Sequence, residues 1–152
     1  MTADNFFWYA GILIFVPWGL LILAPNGRYT DRVAFTAAFV LLCFGAWFTI
    51  QYLFSPDGDG GSVWSLEGLS HLFRSKEMLL TGWLNYLSFC LFAGGWQSHD
   101  SRQLDLPHVW VVPCLLLTML AGPSGLLLYM LLRWVKTRRW GVEEGTGAKR
   151  RK

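Results

Sequence analysis

Four long apolar segments dominate the sequence and limit the folds open to it. They run over residues 6–24, 33–54, 78–96 and 109–134, and short polar connections separate them. Each is close to the ~20 residues that an α-helix needs to cross the hydrocarbon core of a membrane. Because lipid offers the backbone no hydrogen bonds, such segments satisfy it within helices. The sequence therefore predicts an all-α integral membrane protein with four transmembrane helices in one bundle.

The basic residues are concentrated at the end of the chain. Eight of the thirteen lie between Arg133 and Lys152, beside an apolar segment, and the formal net charge is only +3. This distribution indicates anionic lipid and membrane orientation rather than a nucleic-acid partner. We predict a transmembrane domain over residues 1–134 and a basic cytoplasmic tail over 135–152, with both termini cytoplasmic. A bacterial inner or photosynthetic membrane is expected, and a plastid membrane is the alternative.

The connection between the second and third segments contains two further features. Leucines and Phe73 recur at helical spacing over Ser65 to Phe73, which predicts a short interfacial helix between helices two and three. Before it, Asp57 and Asp59 lie in a glycine-rich loop that lacks the closing glutamate of a calcium site. We therefore predict no metal site there, and we interpret the three cysteines as reduced apolar fillers.

The third segment carries the most polar chemistry. Thr81, Asn85 and Ser88 recur at spacings of four and three, so they share one face of a helix, and that face should point into the bundle. Trp83, Tyr86 and Cys90 occupy an adjoining face. Two interpretations stay open: packing against another helix, or a pocket for a flat apolar ligand with Asn85 and Tyr86 at its polar end.

The fourth segment contains a helix-breaking insertion. Gly122, Pro123, Ser124 and Gly125 interrupt an otherwise strongly apolar run. Proline removes a backbone donor and glycine weakens the helix, so we expect a break or kink whose freed backbone groups are satisfied by a neighbouring helix or a hydroxyl.

Two of these motifs carry a resemblance to a known family. Gly82, Trp83, Tyr86 and Leu87 in the third segment, together with Gly-Pro-x-Gly at 122–125 in the fourth, resemble the abscisic-acid-deficient-4-like membrane family. The resemblance covers the chain from the first apolar segment to about Trp134. It implies a small four-helix protein that acts on or near carotenoids, which in plants means rearrangement of an epoxy-xanthophyll to an allenic product.

The chain departs from that family at two positions. The family pattern has a histidine where Asn85 stands and an aspartate where Cys90 stands, a pair suited to acid–base work. Asparagine does not titrate usefully, so the sequence favours binding of a carotenoid or similar apolar ligand over the plant reaction. Whether the protein is an enzyme stays open. The alternative is a non-catalytic accessory subunit of a larger membrane complex such as a photosynthetic assembly.

These arguments define one set of candidate residues. We expect no required cofactor; membrane lipid, a carotenoid and subunits of a membrane complex are the expected partners, and the catalytic residues are unknown. The candidates for ligand binding or the helix interface are Thr81, Trp83, Asn85, Tyr86, Ser88, Cys90, Gly122, Pro123 and Gly125.

Overall fold

The computed structural model describes residues 3–27, 29–54 and 64–138, and these residues are almost entirely helical. No strand occurs among them, so the all-α class is confirmed. Asp57 and Asp59 of the glycine-rich loop, together with most of the basic tail, lie outside the described residues. The helices are α1 (Ala3–Leu23), α2 (Thr30–Leu53), α3 (Leu66–Leu72), α4 (Lys76–Gln103), α5 (His108–Ala121) and α6 (Pro123–Thr137).

The central helix of the bundle is α4, which packs against α1, α2, α5 and α6. It begins at Ser75, whose hydroxyl caps the helix by accepting a hydrogen bond from the backbone N–H of Met78 at 3.2 Å. Its buried leucines Leu84 and Leu91 meet Trp18 of α1 and Leu115 of α5 in one apolar core. The third apolar segment therefore organises the whole fold.

Two helices have the length and hydropathy to cross a membrane, over Thr30–Gln51 and Lys76–Gln103. Two other apolar helices, Phe7–Leu23 and His108–Ala121, are shorter, so the bundle of four transmembrane helices stays a prediction. The outer surface is strongly apolar: Phe15, Phe39 and Phe89 are each 65% exposed. Apolar surface on this scale is typical of helices that face lipid.

The α4 helix extends seven residues beyond the predicted end at residue 96, to Gln103. The sequence predicts a polar connection over residues 97–107, because most of their side chains are polar. In the structure Gln97, Ser98 and Ser101 are buried, and each makes a hydrogen bond inside the bundle. Internal hydrogen bonding lets a polar stretch continue a buried helix.

The predicted fourth span, residues 109–134, consists of two helices that fold back on each other. Gly122, with a φ of +36°, separates α5 from α6. A Cβ placed on Gly125 would overlap the backbone nitrogen of Thr118. Residues seven apart in one straight helix are about 10 Å apart along the axis. The contact between Gly125 and Thr118 therefore means that α5 and α6 form a helical hairpin with its turn at Gly122.

Both open ends of this hairpin lie at one end of the bundle. At the start of α5, His108 Nε2 donates to the Ile22 carbonyl oxygen at 2.9 Å, and near the end of α6 the Arg133 Nε donates to Asp100 at 2.9 Å. Phe7 of α1, by contrast, stacks on Trp83 at the opposite end. A full fourth crossing would bring the end of α6 beside the start of α1. The glycine and proline at 122 and 123 instead turn the chain back.

We predict that the end of α6 lies on the same membrane side as the α1–α2 turn. In a background with all three native cysteines replaced by alanine, Asn26→Cys and Arg138→Cys should react with a membrane-impermeant maleimide from the same side. Glu67→Cys, in α3, should react from the other side. Labelling of Arg138→Cys together with Glu67→Cys would contradict the hairpin and restore the fourth crossing.

Candidate functional site

An open apolar groove of about 560 Å³ lies between α4 and α6. Its walls are aromatic and aliphatic. The hairpin turn at Gly122 forms the edge of the groove beside Tyr86, and Trp96 lies toward the other end. The lining residues are Tyr86, Phe89, Cys90, Phe92, Ala93, Trp96, Gly122, Pro123, Leu126 and Met130. Four residues predicted from the sequence, Tyr86, Cys90, Gly122 and Pro123, therefore meet at one site.

The hairpin turn approaches α4 closely because residue 122 has no side chain. A Cβ on Gly122 would lie 3.1 Å from Cys90 Sγ and 3.2 Å from the Tyr86 ring. The Tyr86 hydroxyl donates a hydrogen bond to the carbonyl oxygen of Leu120, at 3.3 Å, near the end of α5. This bond satisfies one of the carbonyls that a helix end leaves without an internal partner. The turn is thus held against α4 by the residues that line the groove.

A stack of three rings continues from the groove along α4. Trp83 stacks on Tyr86 with ring centroids 5.8 Å apart and planes inclined by 25°. On its other side Trp83 stacks on Phe7 of α1, at 6.2 Å and 30°. Tyr86 therefore belongs both to the ring stack and to the lining of the groove.

The predicted polar stripe of α4 faces α2 and does not line the groove. The hydroxyls of Thr81 and Ser88 are buried and donate to carbonyl oxygens of their own helix, one turn back. The Asn85 amide packs on Gly45, where a Cβ would lie 2.6 Å from Asn85 Oδ1. The small residue at position 45 permits this close approach.

Asn85 and Cys90 lie on different faces of α4. Five residues at about 100° each place them some 140° apart around the helix axis. Asn85 contacts α2, whereas Cys90 contacts the hairpin turn. The two positions therefore do not share one site in this fold. Gly125, the remaining candidate, packs on α5 outside the groove.

A buried charged cluster, which we did not predict, lies behind the Trp96 end of the groove. Asp100 and Arg133 are only 7% and 5% exposed, and the Arg133 Nε donates to Asp100 Oδ2 at 2.9 Å. The Tyr129 hydroxyl donates to the same oxygen at 2.7 Å, and its ring meets Trp96 edge to face at 5.6 Å. This cluster joins α4 to α6 and fixes the separation of the two groove walls.

A second polar cluster joins α4 to the start of α2. Arg102 and His99 both bond to Asp31 Oδ2, the histidine through Nδ1 at 3.1 Å. Arg102 also donates to the Pro25 carbonyl oxygen. Among the described residues, Asp31 Oδ1 is buried without a hydrogen-bond partner. The adjacent residues His99 and Asp100 thus belong to different clusters, since consecutive side chains of a helix point about 100° apart.

One signal in the sequence could have revealed these clusters. The stripe of Thr81, Asn85 and Ser88 on α4 continues at spacings of three and four residues, through Phe92, Gly95, Ser98 and Arg102. Continued helical periodicity would have extended the helix and placed Arg102 inside the bundle.

The chemistry that the groove itself offers is limited. Its described lining includes the phenol of Tyr86 and the thiol of Cys90 but no carboxylate, imidazole or amine. No group of three or more potential metal-ligating side chains occurs within residues 3–27, 29–54 and 64–138. The groove can therefore hold an apolar molecule by shape and dispersion contacts.

Comparison with known proteins gives one match. A family model described as ABA DEFICIENT 4-like matches residues 5–129, from α1 into α6. The matched region includes every residue that lines the groove except Met130. No curated protein matches the chain, and no solved structure matches it.

Proposed function

The chain belongs to the ABA4-like family, and on that premise we propose that it is an integral membrane protein that binds a carotenoid in the groove between α4 and α6. Membership of this family indicates a carotenoid-related membrane protein. The observation that carries the proposal is the aromatic groove of about 560 Å³ on an exposed apolar surface. Sites for small apolar molecules are typically concave, with aromatic walls.

The lining of the groove suits a polyene. Phe89, Phe92 and Trp96 provide flat aromatic surfaces, and Ala93 between them leaves depth at the base. A conjugated hydrocarbon chain has no hydrogen-bonding groups along its length, so it enters such a lining without leaving a polar group desolvated. A headgroup or a sugar would lack partners there.

The same lining favours binding over conversion. Rearrangement of an epoxide requires a group that donates a proton and a group that accepts one, both within reach of the ligand. The Tyr86 hydroxyl is bonded to the Leu120 carbonyl, and Asn85 faces α2. The Asp100 carboxylate lies behind Trp96 and is bonded to Tyr129 and Arg133. We therefore propose that the bound carotenoid leaves the groove unchanged.

We expect a groove-filling substitution to abolish pigment binding. Protein purified in mild detergent from a carotenoid-producing host should show the visible absorption of a carotenoid. Ala93→Trp should reduce the bound pigment per protein about tenfold or more, because the indole occupies the base of the groove. Ala46→Trp, at an exposed position on α2 outside the groove, should keep the pigment. Chromatography of the extract should recover the carotenoid present in the host membrane.

Each negative result in this experiment has a separate meaning. Colourless wild-type protein would contradict carotenoid binding. Equal pigment in the wild type and Ala93→Trp would place the carotenoid elsewhere, and a rearranged product made only in the presence of the protein would show catalysis.

The accessory-subunit alternative stays a proposal of lower rank. Phe39, Phe44 and Trp47 form an exposed aromatic face on α2 that a partner helix could cover. Lipid covers such a face equally well, whereas the α4–α6 groove has a shape that suits one kind of ligand.

A further inference from the structure

The hairpin of α5 and α6 brings the basic residues together at one end of the bundle. We call this the basic end, and it consists of the α1–α2 turn, the end of α4 with the start of α5, and the end of α6. Arg102 of α4 donates to the Pro25 carbonyl oxygen in the turn, and Asp100 of α4 bonds to Arg133 of α6. These contacts hold the three parts side by side. The basic residues of the described chain that lie there are Arg32, Arg102, Arg133, Lys136 and Arg138.

The opposite end has far fewer basic residues. The α4 helix is 28 residues long, about 42 Å at the rise of an α-helix, so Lys76 at its start lies far from Arg102. Arg74 comes just before Lys76, next to Phe73, whose ring packs on Gly82 of α4. Counted along the sequence, these are two of the thirteen basic residues, and the other eleven belong to the basic end or to the tail that follows α6.

Aromatic residues mark both ends as membrane interfaces. Tyr29, Trp110 and Trp134 are exposed at the basic end, and Trp8 and Trp64 are exposed toward the opposite end. Tryptophan and tyrosine are enriched where a membrane protein passes from hydrocarbon to water. Both ends therefore have the aromatic residues of an interface, and the basic end combines them with most of the positive charge.

Helix lengths determine which segments reach from one end to the other. The α1 helix has 21 residues and α2 has 24, so both are at least about as long as the ~30 Å hydrocarbon core. The α5 helix has only 14 residues, or about 21 Å, and its turn at Gly122 stops short of the opposite end. Three helices, α1, α2 and α4, therefore extend through the bundle. An odd number of crossings places the start of α1 and the end of α6 on opposite sides.

We propose that the basic end is the cytoplasmic face, that it binds anionic lipid headgroups, and that the start of α1 lies on the other side of the membrane. Basic residues near helix ends are retained on the cytoplasmic side, where anionic lipids attract them. Counting four crossings instead puts both termini in the cytoplasm, with Arg32 and Arg102 facing away from the tail. Arg102 and Arg133 are paired with carboxylates, so the exposed side chains of Arg32, Lys136 and Arg138 are the ones that meet headgroups.

The orientation is tested with single cysteines in the cysteine-free background. The protein is produced in the inner membrane of a bacterial host and labelled with an impermeant maleimide, in right-side-out spheroplasts and in inside-out vesicles. Asn5→Cys and Ser70→Cys should react in spheroplasts and lose that reaction in vesicles. Gln103→Cys should show the reverse. Reaction of Asn5→Cys and Gln103→Cys from one side, or of Gln103→Cys from outside, would overturn the proposed orientation.

The headgroup surface is tested with two matched double variants. Native mass spectrometry follows the binding of phosphatidylglycerol and of phosphatidylcholine to the detergent-solubilised protein. The variant Lys136→Gln, Arg138→Gln should bind phosphatidylglycerol about tenfold or more weakly, since each basic residue near an anionic surface contributes about fivefold. Arg74→Gln, Lys76→Gln removes the same charge at the opposite end and should weaken it less than about threefold. Equal losses in the two variants, or a parallel loss of phosphatidylcholine, would overturn the headgroup surface.

These tests do not depend on a bound carotenoid. Colourless protein that shows the expected labelling and lipid binding would contradict the proposed function alone. Pigmented protein with the labelling reversed would contradict the orientation and leave the carotenoid in its groove.

Discussion

Replacing Asp100 with alanine should lower the free energy of unfolding by about 3–5 kcal/mol, the usual cost of removing one partner from a buried ion pair. Arg133 is 5% exposed and would lose the carboxylate that accepts from its Nε. The Tyr129 hydroxyl would lose its acceptor as well. The measurement is unfolding of purified protein by SDS in mixed micelles, followed by far-UV circular dichroism.

A charge control and an apolar rescue separate this effect from ordinary packing. Glu77→Ala removes an exposed carboxylate from the first turn of α4 and should cost less than about 1 kcal/mol. The triple variant Asp100→Leu, Tyr129→Phe, Arg133→Met replaces the cluster with apolar side chains of similar size and should recover most of the loss. If Asp100→Ala costs no more than Glu77→Ala, the cluster does not hold α6 against α4.

The groove could be predicted in part because two local rules apply to its residues. Tyr86 and Cys90 are four residues apart, so helical periodicity places them on one face of α4. Gly122 and Pro123 break the fourth segment, and a break in an apolar helix needs a neighbour that satisfies its backbone. The sequence did not show that this neighbour is the Tyr86 face, because that contact depends on the direction in which α6 leaves the turn.

The hairpin and the charged cluster could not be predicted because they depend on contacts distant in sequence. Gly-Pro at 122–123 is equally compatible with a kinked crossing helix. The close packing of Gly125 on Thr118 shows that α5 and α6 instead form a hairpin. Asp100 and Arg133 are separated by thirty-three residues. Asp100 lies in a polar stretch that predicts a connection, and Arg133 lies at the end of the predicted fourth span beside Trp134, so nothing local to either residue indicates their contact. Both side chains are nevertheless buried, because the Arg133 guanidinium and the Asp100 carboxylate satisfy each other's charge and hydrogen-bonding groups.

The Asn85 face was open to a better prediction from the sequence. The angular separation of residues 85 and 90 follows from helix geometry alone, and it argues against an acid–base pair without any structure. Gly45 and Thr49 are four residues apart on α2, a spacing of small residues that permits the close approach of another helix. Only the structure shows that Asn85 is the side chain that packs on Gly45.

Adding one methyl group at Gly125 should destabilise the protein by about 3 kcal/mol, because overpacking against rigid atoms is costly. The new Cβ would overlap the backbone nitrogen of Thr118, and Thr118 is itself fixed by a hydrogen bond of 2.8 Å from the Gln97 side chain. Since neither backbone can yield by a rotamer change, α6 must move away from α5. The groove wall formed by Pro123 and Leu126 would move with it.

The same methyl group should have the opposite effect in α1. A Cβ at Gly11 or Gly19 meets nothing within 4 Å, so alanine there should stabilise the helix by up to about 1 kcal/mol, the difference in helix propensity. SDS unfolding of Gly125→Ala, Gly11→Ala and Gly19→Ala therefore compares one chemical change in two environments. In the carotenoid-producing host, Gly125→Ala should also lose pigment and the α1 variants should keep it. A Gly125→Ala protein as stable as the α1 variants would show that α5 and α6 do not pack as a tight hairpin. The edge of the groove beside Tyr86 would then have to be assigned to other residues.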